Sequence, residues 1–135
     1  MNLHHLGVVA QNLEAALKSL RLDESQIVEV VTDTEQQNNL YFIKFLNSNV
    51  VLEIVIPLNN TSTVANFASK QKINLHHIAF ATDSIAKSTS EHRNIPGHFA
   101  LKQYKTNVKI FGGEIDTSFV FANGLLIEYV ENVKK

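Results

Sequence analysis

Two copies of the motif Asn-Leu-His-His, each followed by an apolar run, carry the residues that could do chemistry in this chain. The first copy reads "NLHHLGVV" at residues 2–9 and the second reads "NLHHIAFA" at residues 74–81, so His5 and His77 lie 72 positions apart. Neutral imidazole is the commonest metal ligand that proteins use. The repeat therefore makes the two histidines candidate metal ligands at equivalent positions.

Two glutamates show the same equivalence. Glu53 lies in "VVLEIVI" (50–56) and Glu128 lies in "LLIEYVE" (125–131), 75 positions further on. A carboxylate in an apolar strand needs a partner if the strand is buried, and a divalent metal ion is one such partner. Two imidazoles and two carboxylates form a mixed nitrogen and oxygen donor set suited to Zn, Ni, Co, Mn or Fe. The pattern thus predicts a metal site formed by His5, Glu53, His77 and Glu128.

Strand geometry limits which histidine of each pair can contribute. Successive side chains of a strand point to opposite faces, so His4 and His5 cannot both face one site, and neither can His76 and His77. The histidine that faces away is expected to support a ligand or to pack. A structural alternative stays open, because a single strand histidine is usually hydrogen-bonded and a single strand glutamate usually faces water. An inherited duplication could also preserve the pattern without a metal.

The elements that must position these residues repeat as well. Each half reads β-α-β-β-β, which predicts an α+β fold of two tandem modules, 1–59 and 73–135, joined by a linker with a short helix at 60–72. Asn12 and either Asp83 or Ser84 are the expected helix N-caps, and Asn123-Gly124 is a tight-hairpin signal. The predicted strands are Leu3–Ala10, Gln26–Thr32, 40–46 and 50–56 in the first half, and Leu75–Thr82, about 99–104, 116–122 and 125–131 in the second.

Composition narrows the classes of function. The chain has 135 residues, of which 44% are apolar and 19% charged, with a net charge of −1, so we expect one globular domain. No basic patch suggests nucleic acid or an anionic membrane surface. The chain contains no cysteine, which excludes disulfides, thiolate metal sites and a cysteine nucleophile. No apolar run approaches a membrane span and no signal pattern opens the chain, so a cytoplasmic location is the expectation.

Four segments together resemble a known superfamily: "HHLGVVAQNLEAAL", "VLEIVIPL", "HHIAFATDSI" and "LLIEYVE". They are similar to the vicinal oxygen chelate (VOC) superfamily, which includes glyoxalase I, methylmalonyl-CoA epimerase, extradiol dioxygenases and bleomycin resistance proteins. The nearest pattern is the branch around methylmalonyl-CoA epimerase. The resemblance implies two βαβββ modules whose strands form a curved open sheet around one divalent metal, held by the four residues that the repeat indicates.

The resemblance also implies a function. It favours metal-assisted proton abstraction next to a carbonyl, by an isomerase, epimerase or lyase acting on a small 2-oxo or acyl-thioester substrate, with Glu128 as the base. It further implies a homodimer. Two alternatives stay open, a non-catalytic small-molecule binding or resistance protein on the same fold, and a ring-cleaving dioxygenase.

The chain departs from this pattern at three places. The strand "LYFIKFL" has no acid where the epimerase branch has a glutamate, and the nearest acids in the sequence are Glu29, Asp33 and Glu35. Arginines that could bind the carboxylates of glutathione are also few. In "FGGEIDTSFVF", Glu114 stands where a basic residue is typical of the branch.

Overall fold

The structure is a computed structural model that describes residues 1–133; Lys134 and Lys135, the end of the predicted second module, lie outside the described residues. The strands are β1 (Asn2–Ala10), β2 (Ile27–Asp33), β3 (Asn38–Lys44), β4 (Val51–Pro57), β5 (Ile73–Ala81), β6 (His98–Val108), β7 (Gly113–Ala122) and β8 (Leu125–Asn132). The α-helices are α1 (Leu13–Leu20), α2 (Ala65–Ala68) and α3 (Ile85–Ser90).

The predicted order of elements is confirmed, since β-α-β-β-β occurs twice with α2 between the two series. The Asn12 side chain accepts a hydrogen bond from the Ala15 amide at 2.8 Å, and Ser84 caps α3 at 3.1 Å, as predicted. The sequence predicts that the helix after Ser84 runs to about Arg93, and this is wrong, since α3 stops at Ser90 because the following residues form tighter turns. The module boundaries themselves stay a prediction.

The strands are hydrogen-bonded in the order β2-β3-β4-β1-β5-β8-β7-β6. The chain divides into two compact units, an N-terminal unit of residues 6–76 and a C-terminal unit formed by residues 1–5 together with the chain from residue 77 onward. The division falls inside β1 and β5, directly beside the two histidines. His5 and His77 therefore both belong to the C-terminal unit.

The N-terminal unit buries one face of its strands under α1. Ala10, Ala16, Ile43 and Ile54 are completely buried there, and Leu13 and Leu17 of α1 pack against them. The strands β2, β3 and β4 pair antiparallel, and the register places Glu53 opposite Phe42. Because side chains alternate along β4, Glu53 lies on the face opposite to Ile54 and hence away from this core.

The C-terminal unit has its own core, formed by Ile85, Val120 and Tyr129 with Phe80 and Ile127 packed against them. Strands β7 and β8 pair antiparallel through the Asn123-Gly124 turn, where both residues have positive φ, of 52° and 93°. This is the tight hairpin that the sequence predicts. Among the described residues, no helix combines the length and apolarity that crossing a membrane requires.

Candidate metal centre

Three of the four predicted ligands converge within the C-terminal unit. His5 arrives on β1, His77 on β5 and Glu128 on β8, and the Nε2 atoms of the two histidines lie 3.1 Å apart. Glu128 Oε1 lies 2.9 Å from His5 Nε2 and 3.1 Å from His77 Nε2. The three donor atoms thus form a nearly equilateral triangle.

All three side chains are buried, with 2% of His5, 3% of His77 and 6% of Glu128 exposed. Burial raises the pKa of the Glu128 carboxyl, but the charges that His5 and His77 carry when protonated outweigh burial and hold this pKa well below its usual range. The carboxyl is therefore ionised at neutral pH. Its Oε1 accepts no hydrogen bond among the described residues, although both imidazole nitrogens are at contact distance.

The triangle fits a metal ion. Ligand atoms held about 2.0–2.2 Å from a metal and at right angles to one another are about 2.8–3.1 Å apart. The observed separations of 2.9, 3.1 and 3.1 Å fall in this range. A buried carboxylate oxygen without a hydrogen bond, facing two imidazole nitrogens, is also the arrangement that a cation would satisfy. The donor set therefore suits a divalent metal ion.

A second layer of side chains contacts the candidate ligands. His4 Nδ1 lies 2.8 Å from His5 Nδ1, so His5 can donate its Nδ1 proton to His4 and keep the lone pair of Nε2 directed at the triangle. The Phe111 ring stacks on the His5 ring at 5.6 Å between centroids, and Phe119 contacts the edge of His77 at 5.5 Å. Strand alternation had indicated a supporting role for His4, whereas no sequence signal pointed to the two phenylalanines.

The fourth predicted ligand, Glu53, belongs to the N-terminal unit. It is buried, with 8% of its surface exposed, and its neighbours on the same face of β4 are Val51 and Val55. A carboxylate among valines needs a strong partner. His76, the other histidine of the second motif, packs its ring against Phe67 at 4.9 Å in the same unit.

The two remaining histidines form a different cluster on the opposite face of β8. His92 Nδ1 lies 2.8 Å from His98 Nδ1, and His92 Nε2 lies 2.6 Å from the Tyr129 hydroxyl. Burial, followed by the charge of His98, lowers the pKa of His92, and burial also raises the pKa of Tyr129. Every ring nitrogen of His92 is thereby engaged in a hydrogen bond.

Comparison with known proteins identifies the class. The sequence profile of the Glyoxalase/Bleomycin resistance protein/Dioxygenase superfamily matches residues 4–111, which is most of the chain. The chain belongs to this superfamily, and the resemblance noted in the sequence is confirmed. No curated protein matches the chain in sequence.

Solved structures extend this result to the fold. Methylmalonyl-CoA epimerase from Mycobacterium tuberculosis superposes with a TM-score of 0.77 at 18% identity, over 98% of this chain and 89% of that one. A variant of the Streptomyces coelicolor methylmalonyl-CoA epimerase in complex with 2-nitronate-propionyl-CoA superposes with a TM-score of 0.77 at 19% identity, over 99% of both chains. A hypothetical protein from Bacillus halodurans C-125 superposes with a TM-score of 0.75 at 22% identity, over 99% of this chain and 96% of that one. The predicted fold class, two βαβββ modules of the VOC type, is confirmed.

Proposed function

We propose that the chain is a metal-dependent enzyme in which His5, Glu53, His77 and Glu128 hold one divalent metal ion. The observation that carries the proposal is the triangle of His5 Nε2, His77 Nε2 and Glu128 Oε1. Glu53 is proposed as the fourth ligand because it is the repeat equivalent of Glu128 and is a buried carboxylate in an apolar strand. Zn, Ni, Co, Mn and Fe all suit this donor set.

The proposed reaction is proton abstraction next to a carbonyl, in an isomerisation, epimerisation or lyase reaction. A bound divalent metal would polarise a carbonyl oxygen of the substrate and acidify the adjacent C–H bond. Glu128 is the proposed base because the superfamily resemblance gives this role to the glutamate of the last strand, and its Oε1 lies 2.9 and 3.1 Å from the imidazole nitrogens of the centre. The acyl-thioester substrate class is supported by two similar folds whose structures contain 2-nitronate-propionyl-CoA or methylmalonyl-CoA, and the small 2-oxo substrate class rests on the family resemblance.

The two alternatives remain distinguishable by experiment. A non-catalytic binding protein would bind a small molecule tightly without turnover, and it would not need the buried acidic ligands. A ring-cleaving dioxygenase would consume oxygen with a catechol in the presence of Fe(II). The proposed homodimer and cytoplasmic location rest on the family resemblance and on composition.

Metal analysis of the purified protein tests the centre. We expect about one divalent ion per chain, and restoring it to chelator-treated protein at 100 times Kd should stabilise the fold by about 2.7 kcal/mol, or roughly 8–12 °C in Tm. Glu53→Ala should weaken metal binding, whereas Glu35→Gln, which changes an exposed acid in a turn, should not. The proposal would be refuted if the protein contained no metal and none of Zn, Ni, Co, Mn or Fe raised its stability.

Solvent-deuterium exchange tests the chemistry separately. The metal-loaded protein should exchange the proton next to the carbonyl of methylmalonyl-CoA or pyruvate with D₂O, as observed by NMR. The metal-free protein and Glu128→Gln should not. Metal binding without exchange of either probe would favour the binding-protein alternative.

A further inference from the structure

Beside the candidate metal centre, one face of the C-terminal unit carries exposed aromatic rings. In the antiparallel register of β7 and β8, Phe119 lies opposite Glu128 and Phe121 lies opposite Leu126, and Phe99 of β6 lies opposite Phe121. Directly opposed residues of an antiparallel pair share a face of the sheet. These side chains therefore lie on the same face as Glu128.

The opposite face is accounted for. Val120, Ile127 and Tyr129, which alternate with the residues of the metal-centre face, pack with Ile85 of α3 in the core. The aromatic face therefore does not build the core of this unit. Phe99 is 62% exposed and Phe121 is 41% exposed, while Leu126 is half-buried. Exposed phenylalanines that neighbour each other across two strands form an apolar patch, which is characteristic of a binding surface.

The patch is continuous with the candidate metal centre. Leu126 is two residues from Glu128 along β8, a separation of roughly 6–7 Å, and Phe99 is two strands from Leu126, across β7, a separation of roughly 10 Å. Phe119, which contacts the His77 ring at 5.5 Å, is two residues from Phe121 along β7 and lies on the same face. The side chains of β7 and β8 on this face therefore run from a proposed ligand to the exposed apolar residues.

We infer that Phe99, Phe121 and Leu126, here called the apolar wall, bind an apolar and preferably aromatic group of the substrate, next to the carbonyl that the metal centre would hold. This inference rests on the proposed function and narrows its substrate class. A substrate with only a methyl group beside the carbonyl leaves the apolar wall in water. A phenyl group there removes apolar surface of both partners from water, and aromatic packing adds to that gain.

A pair of 2-oxo acids tests the inference on the metal-loaded protein. Phenylpyruvate and pyruvate share the 2-oxo carboxylate and differ in the phenyl group, so the ratio of their Kd values isolates the apolar wall. We expect phenylpyruvate to bind at least about tenfold more tightly by calorimetry or NMR titration. Phe121→Ser should reduce this ratio to about threefold or less without changing metal content. A wild-type ratio near one overturns the inference.

Phe45→Ser is the matched control, since Phe45 has a similar exposure of 37% but lies in the other unit. It should leave the ratio unchanged. If Phe121→Ser does not fold, Phe99→Ser replaces it, because a ring that is 62% exposed contributes little to the fold. If either wall variant changes the oligomeric state in sedimentation velocity and leaves the ratio unchanged, the surface is a subunit interface and the inference fails.

The outcome also separates this inference from the proposed function. If the metal binds and pyruvate exchanges its protons with D₂O, but phenylpyruvate gains no affinity, only the apolar wall is refuted. If phenylpyruvate prefers the wild type over Phe121→Ser equally with and without metal, the apolar wall is supported and the metal-centred function is not.

Discussion

The C-terminal unit contains two histidine clusters on opposite faces of β8, and they differ in how their polar atoms meet. In the first, three atoms of His5, His77 and Glu128 converge within 3.1 Å of one another, and the carboxylate oxygen accepts no hydrogen bond. In the second, His98, His92 and Tyr129 follow each other as a linear chain of 2.8 and 2.6 Å contacts. The polar atoms of the first cluster surround one point, whereas those of the second cluster are arranged in a line.

This difference separates a candidate ligand set from a structural network. In a linear chain a ring can donate at one nitrogen and accept at the other, and a hydroxyl can end the chain, so both ring nitrogens of His92 are satisfied by protein alone. In a triangle of three atoms protons cannot satisfy every contact, because one contact always joins two lone pairs or two N–H groups, whereas a cation at the centre can be bound by all three. Histidine content therefore does not distinguish the two clusters, whereas the convergence of donor atoms makes the first one the candidate metal centre.

The largest expected effect comes from removing a ligand. His77→Ala should reduce bound metal from about one ion per chain to less than about 0.1. It should also lower the rate of proton exchange by at least about 100-fold, since loss of even a hydrogen-bond partner of a ligand typically reduces metal affinity or activity 10–100-fold. Elemental analysis and the D₂O assay measure the two effects. His98→Ala, from the linear cluster, should leave metal content unchanged. Equal metal loss in both variants would erase the distinction between the clusters.

A smaller effect is expected from the partner of a ligand. His4→Ala removes the group 2.8 Å from His5 Nδ1, so the imidazole loses its fixed orientation and metal affinity should fall about 10–100-fold. Competition with a chromophoric chelator measures the change. His4→Gln should restore part of the affinity, because a side-chain amide oxygen can accept the same proton. If His4→Ala binds metal as tightly as the wild type, His4 only packs against the Phe111 ring, which lies 4.2 Å from its own ring between centroids.

The sequence predicted much of this site because the repeat provides an internal comparison. His5 and His77 stand out as candidate ligands because each precedes an equivalent apolar run, and Glu128 stands out because its charge interrupts an apolar strand. Phe99 and Phe121 could not be predicted in this way. Their alignment across strands depends on the register of β6, β7 and β8, including an irregularity between Ala100 and Gln103, and local patterns do not determine register.

The linear cluster should respond to acid. Because burial lowers the pKa of His92, the unfolded chain binds more protons than the folded one below the ordinary value of 6.5, so stability falls as the pH drops below that value. His92 is faced by His98 and the Tyr129 hydroxyl, with Glu91 opposing the shift. Between pH 7.5 and pH 5.5, the Tm of metal-free His92→Gln should therefore fall by less than the Tm of the metal-free wild type. Parallel losses would show that His92 does not contribute.

The smallest effect should come from the hydroxyl that ends the chain. Tyr129→Phe removes the 2.6 Å contact with His92 Nε2 but keeps the ring that packs with Ile85 and Val120. His92 is only half-buried, so water can replace the hydroxyl, and the expected loss is about 0.5–1.5 kcal/mol by urea denaturation. Metal content should not change, although Tyr129 directly follows Glu128. A variant that kept its stability but lost its metal would mean that the linear cluster positions Glu128, and that the two faces of β8 are not independent.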